Sequence, residues 1–221
     1  IVMLFTLAAC SEHDYTASTD SVLPMEFSAE YPGLTRATDA GFASGDRIGV
    51  FVADYNGDVP ESLNGGTLRA DNLPFTYEEA KGQWTGSKTL YWKNQNSAVD
   101  VVGYYPYAAS VDNPAAYSFA IDAHQERTAT DTRLSGYEAS DLLWAKCVKA
   151  QPGDGSINLT FKHLMAGMII SLEMGEGFDS NEWAALEKKV LVNHAVATTT
   201  VNLETGGLEA GQGEISVFTL P

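Results

Sequence analysis

The sequence predicts an all-β protein. Short runs alternate apolar and polar side chains, as in Ile157-Asn158-Leu159-Thr160-Phe161, and a period of two lays one face of a strand against a core. Turn residues punctuate such runs at intervals of roughly ten residues, the spacing of short strands in a sandwich. Through residues 34–155 no long 3.6-residue periodicity appears, which argues against an α/β enzyme fold.

Composition sets the outer bounds. The chain has 221 residues, 44% hydrophobic and 19% charged. That is enough for one large or two modest domains with a core of their own. The net charge is −16, with a pI near 4.4. Nucleic-acid binding needs a basic footprint, so the balance excludes it as a partner. An acidic exterior resists non-specific association but selects no ligand. No run of about 18 apolar residues, the length of a membrane helix, is present.

The first residues read as an export signal. Ile1 to Ala9 is apolar and ends in small side chains, like the second half of a secretory leader. Leu7-Ala8-Ala9-Cys10 is similar to the bacterial lipobox. There a cysteine thiol takes the lipid and becomes the new N-terminus, and several acyl chains anchor firmly where one does not. Cys10 is therefore the expected lipid attachment site. Ser11-Glu12-His13-Asp14 fits either an acidic surface-export signal or a solvated linker. The chain begins inside its apolar leader and stops within a strand-like run, so it reads as a fragment.

The strands follow in order. Met25, Phe27 and Ala29 face one way and Glu26 and Ser28 the other, a half-buried strand closed by Pro32-Gly33. The next segment is polar and open, and its sole cation, Arg36, is a natural protease target, with cleavage before Ala37. Gly45-Asp46 admits the chain into the strand Arg47 to Ala53. Asp54 to Asp58 holds the hairpin signal Asn56-Gly57; it also mimics the start of a calcium loop, without the bidentate Glu that such a loop needs. Further strands are expected at Leu73–Tyr77, Gln83–Thr85, Thr89–Lys93, Val99–Tyr105, Tyr117–Ile121 and Leu142–Lys146. Gln151 to Gly155 is rich in turn residues and marks a domain boundary. Beyond it lie Ile157–Phe161 and an apolar run, Leu164 to Leu172, of core-strand character. Asp179 caps a short helix through Leu186 to Lys189. Val190–Asn193, Thr198–Asn202 and Ile215–Leu220 complete the strands.

No catalytic constellation emerges, and the chain reads as a non-enzyme without cofactor or metal. His13, His124, His163 and His194 include no i, i+4 pair of zinc ligands. No nucleophile elbow or phosphate loop is present. Cys147 and His163 would make a conceivable thiol pair, but a cysteine on a strand is more often structural. The aromatics Trp84, Tyr91, Trp92, Tyr104, Tyr105, Tyr107 and Trp144 suit core packing, or a platform on which sugars stack.

A resemblance runs along most of the chain. Thr35-Arg36-Ala37-Thr38 precedes Phe42, Gly45-Asp46 and Ile48-Gly49-Val50-Phe51. Asn72 to Tyr77, Trp84, Tyr91-Trp92, Tyr104-Tyr105-Pro106 and Asp141 to Ala145 follow, then Phe161-Lys162-His163 and Thr198 to Gly207. In this order they resemble fimbrillin-family proteins, pilus subunits of anaerobic Gram-negative gut and oral bacteria. Lys93 departs from the pattern, where relatives often have Pro. The resemblance implies two transthyretin-like Greek-key β-sandwich domains, the second incomplete. Residues 1–10 would be the lipobox signal, 11–36 a tether with a removable strand, 37–155 the first domain and 156–221 the start of the second.

It further implies a surface lipoprotein precursor held in the outer membrane by acylated Cys10. Cleavage between Arg36 and Ala37 would release it, and exchange of a donor strand with other subunits would build the fimbrium. Main-chain bonds then supply affinity and side-chain pockets supply register. Adhesion would reach host or bacterial surface glycans or proteins. The rival expectation is a monomeric outer-membrane lipoprotein that binds glycans through an exposed aromatic row.

Overall fold

The computed structural model describes residues 23–31, 41–126, 134–186, 188, 190–192, 194–209, 211–215 and 218–220. Cys10, Arg36 and Ala37 lie outside the described residues. So does the patch at residues 11–14.

The elements are β1 (Phe27–Glu30), β2 (Arg47–Asn56), β3 (Val59–Pro60), β4 (Ala70–Glu78), β5 (Gln83–Gly86), β6 (Val99–Tyr105) and β7 (Tyr117–Ala120). Then come α1 (Gly136–Ala139), β8 (Leu143–Ala150), β9 (Ile157–Thr160), β10 (Lys162–His163) and α2 (Ser180–Ala185). β11 (Val190–Val192), β12 (Ala195–Asn202), β13 (Gly207–Leu208), β14 (Gln212–Ile215) and β15 (Phe218–Leu220) complete the list. The all-β expectation holds, with helix confined to short pieces.

One antiparallel sheet organises the molecule, in the order β10-β8-β6-β2-β4-β5, with β3 folded back on β2. The β2–β3 hairpin turns at Asn56-Gly57, where Gly57 has φ +66°, a left-handed conformation that glycine adopts without a Cβ penalty. Asp54, the first residue of the would-be calcium loop, is engaged instead by the Arg69 guanidinium at 2.5 Å.

Both faces of the sheet are covered. Ile48, Val50 and Val52 of β2 join Val99, Val101 and Leu143 in one core, with Ile157, Leu159 and Phe161 packed against them. Phe51, Ala53, Val102, Tyr104 and Trp144 point the other way, against Phe119, Val201 and Leu203. β6 is consequently buried at every position, and a strand covered on both faces reads as near-continuous apolar sequence. Gly103 lets β9 approach: a Cβ there would sit 2.9 Å from Leu159 Cδ1. The second face is pinned by Trp144, whose Nε1–H donates to the Leu203 carbonyl at 2.7 Å.

The expected boundary after Gly155 falls within this packing. Ile157, Leu159 and Phe161 lie beyond it and fill the first core. β12 pairs with β7, so its sheet draws strands from both sides of the boundary.

Three expectations are corrected. Leu164–Leu172 forms no strand, and Met168, Ile169 and Leu172 are exposed. A strand apolar on both faces needs cover on both, and these side chains have little. Thr89–Lys93 forms only an isolated bridge at Tyr91, although its side chains alternate as a strand's would, with Leu90 and Trp92 buried and Tyr91 exposed. The helix capped by Asp179 ends at Ala185, with Leu186 as its extended C-cap, short of Lys189.

Candidate functional site: the slot of the N-terminal strand

The segment from Leu23 to Tyr31 lies between two parts of the chain distant in sequence. On its first half, Pro24 bridges Tyr91 in antiparallel fashion. There Met25 N–H donates to the Leu90 carbonyl at 2.8 Å and Trp92 N–H donates to the Leu23 carbonyl at 2.9 Å. On its second half, β1 runs parallel to β9, with Phe27 opposite Ile157 and Glu30 opposite Thr160. Ile157 N–H donates to the Glu26 carbonyl at 2.8 Å and Phe161 N–H to the Glu30 carbonyl at 3.0 Å. The sequence foresaw this strand and its apolar face, but neither flank nor the parallel direction.

The apolar side chains point into the first core. Met25 is buried, and Phe27, Ala29 and Tyr31 are partly buried against the same cluster. The Phe27 ring meets Phe75 edge-on at 4.8 Å. Burying side chains of this size contributes roughly 1.5–3 kcal/mol each when complete, and less here. Tyr31 closes the row, edge-on to Phe42 at 5.0 Å and to His163 at 5.9 Å.

Phe42 is the hub of the far end of the slot. Its ring also meets Trp84 at 4.9 Å, and Tyr105 and Phe161 at 5.7 Å each, all edge-on. Edge-to-face pairs of this kind add about 0.5–1.5 kcal/mol each beyond burial. Phe42 follows Ala37 in sequence, whereas its neighbour Tyr31 precedes Arg36. The two rings therefore stand on opposite sides of the expected cleavage site.

Polar groups frame this end. Tyr105 O–H donates to Asp46 Oδ1 at 3.1 Å, and Ala43 N–H to Asp46 Oδ2 at 2.7 Å. Burial raises the Asp46 carboxyl above its ordinary value, against the lowering effect of these two bonds. Burial also raises the Tyr105 hydroxyl, reinforced by the charge of Asp46. His163 Nδ1 lies 2.8 Å from Asp141 Oδ1. Both acids are engaged by protein groups, Asp46 by Tyr105 and Ala43 and Asp141 by His163.

The remaining candidates resolve simply. Of the seven aromatics weighed as a sugar platform, Trp84, Trp92, Tyr104, Tyr105 and Trp144 are buried, and Tyr91 is the one exposed ring. Tyr107 is half-buried under the Arg47 guanidinium, 4.4 Å from its centroid. The aromatics thus pack the core, as expected, and form no exposed row. Cys147 is a free thiol, half-buried rather than fully buried as a strand cysteine suggests; burial pushes its pKa up. Among the described residues no helix is long and apolar enough to cross a membrane.

Known proteins share this sequence pattern and this architecture. The chain is 26% identical over 208 residues to a Bacteroides uniformis protein provisionally named fimbrium subunit Fim1C, covering 91% of this chain and 62% of that one. It therefore spans under two thirds of the length of that curated relative. A crystal structure of a provisionally named cell adhesion protein from Bacteroides ovatus superposes with a TM-score of 0.62 at 18% identity, over 90% of this chain and 72% of the other. A counterpart from Bacteroides uniformis gives 0.58 at 20% identity, over 92% and 71%. At these identities the structures establish the fold. The sequence model of the fimbrillin-like family matches residues 35–219, and the chain belongs to that family.

Proposed function

We propose that this chain is a structural, non-catalytic subunit of a cell-surface fimbria. It is exported as a lipoprotein through Cys10, released by cleavage between Arg36 and Ala37, and polymerised by strand exchange in support of adhesion. The family membership and the Bacteroides relative's name support the fimbrial role.

The observation that carries the mechanism is the seating of the segment Leu23 to Tyr31. It contributes Met25 and Phe27 to the core, yet both of its flanks come from elsewhere in the chain. Its covalent link to β2 runs through the segment that holds Arg36. Cutting that link leaves the strand held by non-covalent pairing alone, and its departure exposes unpaired backbone and an apolar groove, a template for another strand. A strand from a second subunit restores both, and the contact repeats head to tail.

The test uses the full-length protein. Limited cleavage after Arg36 should give protease-resistant oligomers, and Arg36→Ala should stay monomeric under the same treatment. A cleaved protein that remains monomeric across a wide concentration range sinks the exchange mechanism. Intact-mass analysis of membrane-purified protein should show acylated Cys10; an unmodified thiol there removes the anchor.

A further inference from the structure

The slot reads both faces of its occupant. The inner face is apolar: Met25, Phe27, Ala29 and Tyr31 enter the core. The outer face carries a polar match. Ser28 Oγ–H donates to Asn158 Oδ1 at 3.3 Å, Asn158 Nδ2–H donates to Glu30 Oε1 at 3.0 Å, and Thr160 Oγ1–H donates to Glu30 Oε2 at 3.3 Å. A carboxamide has one donor end and one acceptor end. Between Ser28 and Glu30, Asn158 has both satisfied, and Thr160 adds a second donor to the same carboxylate.

This match solves a problem that the inner face cannot. A one-residue slip of a strand swaps its faces and is strongly disfavoured. A two-residue slip keeps every apolar side chain inward, so the alternating pattern is blind to it. Either two-residue slip removes the carboxylate from Thr160, placing Ser28 or Pro32 there instead. An occupant with acceptors at both outer positions would set one of them against Asn158 Oδ1.

We propose that Asn158 and Thr160 select and align the strand that fills this slot. The occupant is an extended segment of a neighbouring subunit running parallel to β9. It has apolar side chains at alternate positions, with a hydroxyl donor and a carboxylate two residues apart on its outer face. The proposal rests on the exchange mechanism above and specifies which strand that mechanism accepts.

The test takes the full-length chain with a unique protease sequence inserted between Arg36 and Ala37. It is cut and incubated with a large excess of fluorescent peptide corresponding to residues 23–31, and binding is read by anisotropy. The Glu30→Ala peptide should bind about tenfold more weakly, the scale of losing a charge-assisted bond at an exposed site. The protein carrying Asn158→Ala and Thr160→Ala should lose a similar factor for the unmodified peptide. Combining the two changes should cost little more than either alone, because they remove the same contact. Ser28→Asp in the peptide should weaken binding and Ser28→Thr should not. Cross-link mapping by mass spectrometry should show a single register with the unmodified protein and two registers, two residues apart, with the double variant. Equal affinity and a single register in the double variant overturn the alignment role while leaving exchange standing. A cut chain that admits no peptide even at large excess defeats the exchange mechanism, and this proposal with it.

Discussion

β6 and β1 sit at opposite ends of the range of burial, and of the two only β6 is paired along both edges. β6 lies between β2 and β8 with all its positions buried, and its side chains feed the cores on both faces. None of the four positions of β1 is fully buried, and its outer face meets water. The edges of β6 come from one continuous sheet. The Leu23–Tyr31 segment has Leu90–Trp92 along one stretch and β9 along the next. Two paired edges and two covered faces thus set β6 apart from β1, which has one paired edge and an outer face open to water.

The sharpest way to break this contrast is a charge in β6. Val101 is fully buried, and Val101→Asp puts an unpaired carboxylate there, which should cost more than about 4 kcal/mol and abolish folding. Soluble yield and circular dichroism report it; a folded variant with a near-normal denaturation midpoint means β6 is not the irreplaceable strand.

A finer comparison sets Phe42 against Phe27. Truncating a buried Phe costs about 3–5 kcal/mol. Phe42→Ala, losing a partly buried ring with several ring partners, should approach the lower limit in a urea titration. Phe27→Ala should cost about half as much by the same rule. Its distinctive effect should be local: in native-state hydrogen exchange the β1 amides exchange faster while those of β6 are unchanged. Equal acceleration in both strands means that β1 opens only with the whole fold.

The smallest expected effect is a pH dependence at the closed end of the slot. Burial raises Asp46 above its ordinary 3.8, so the folded form holds the proton more tightly than the unfolded chain. That contribution to stability is fully present below 3.8 and is lost as pH rises through the folded value. Asp46→Asn cannot ionise; it keeps one acceptor oxygen, for the Ala43 N–H, and its NH2 can donate to the Tyr105 oxygen in place of the bond that Tyr105 donates now. Melting temperatures from about pH 3 to pH 7 should show the unmodified protein losing ground to the variant as pH rises. A constant difference removes Asp46 as the source.

Much of the sheet was legible in the sequence, because strands with one core-facing side advertise it. Leu73 and Phe75, Val99 and Val101, and Ile157 and Leu159 all alternate as the structure uses them. Pairing was not legible. Nothing local in Met25–Ala29 says that its partner lies near residue 158, or that the two run parallel. Turn residues at Pro152–Gly155 marked a change of direction, which a boundary and a return to the same core share. Leu164–Leu172 misled for the opposite reason: apolar composition reports what a segment could bury, and burial depends on neighbours that local sequence does not name. At the slot, Phe42 stood out only as a landmark of the resemblance. Asn158 and Thr160 gave no signal, since outer-face polar residues look alike until the strand beside them is known.

The seating of the segment Leu23 to Tyr31 between two partners also has a mechanical meaning. A strand pulled along its own axis strains the bonds on both flanks in shear, and they must yield together. A strand peeled sideways from its end breaks the same bonds one at a time. Met25 and Trp92 hold one end of the segment, Ile157 and Phe161 the other, so an axial load spreads over the full length. Resistance to force is set by the rate of unfolding rather than by equilibrium stability. A joint of this geometry can therefore hold against a sudden pull more firmly than its equilibrium stability alone implies.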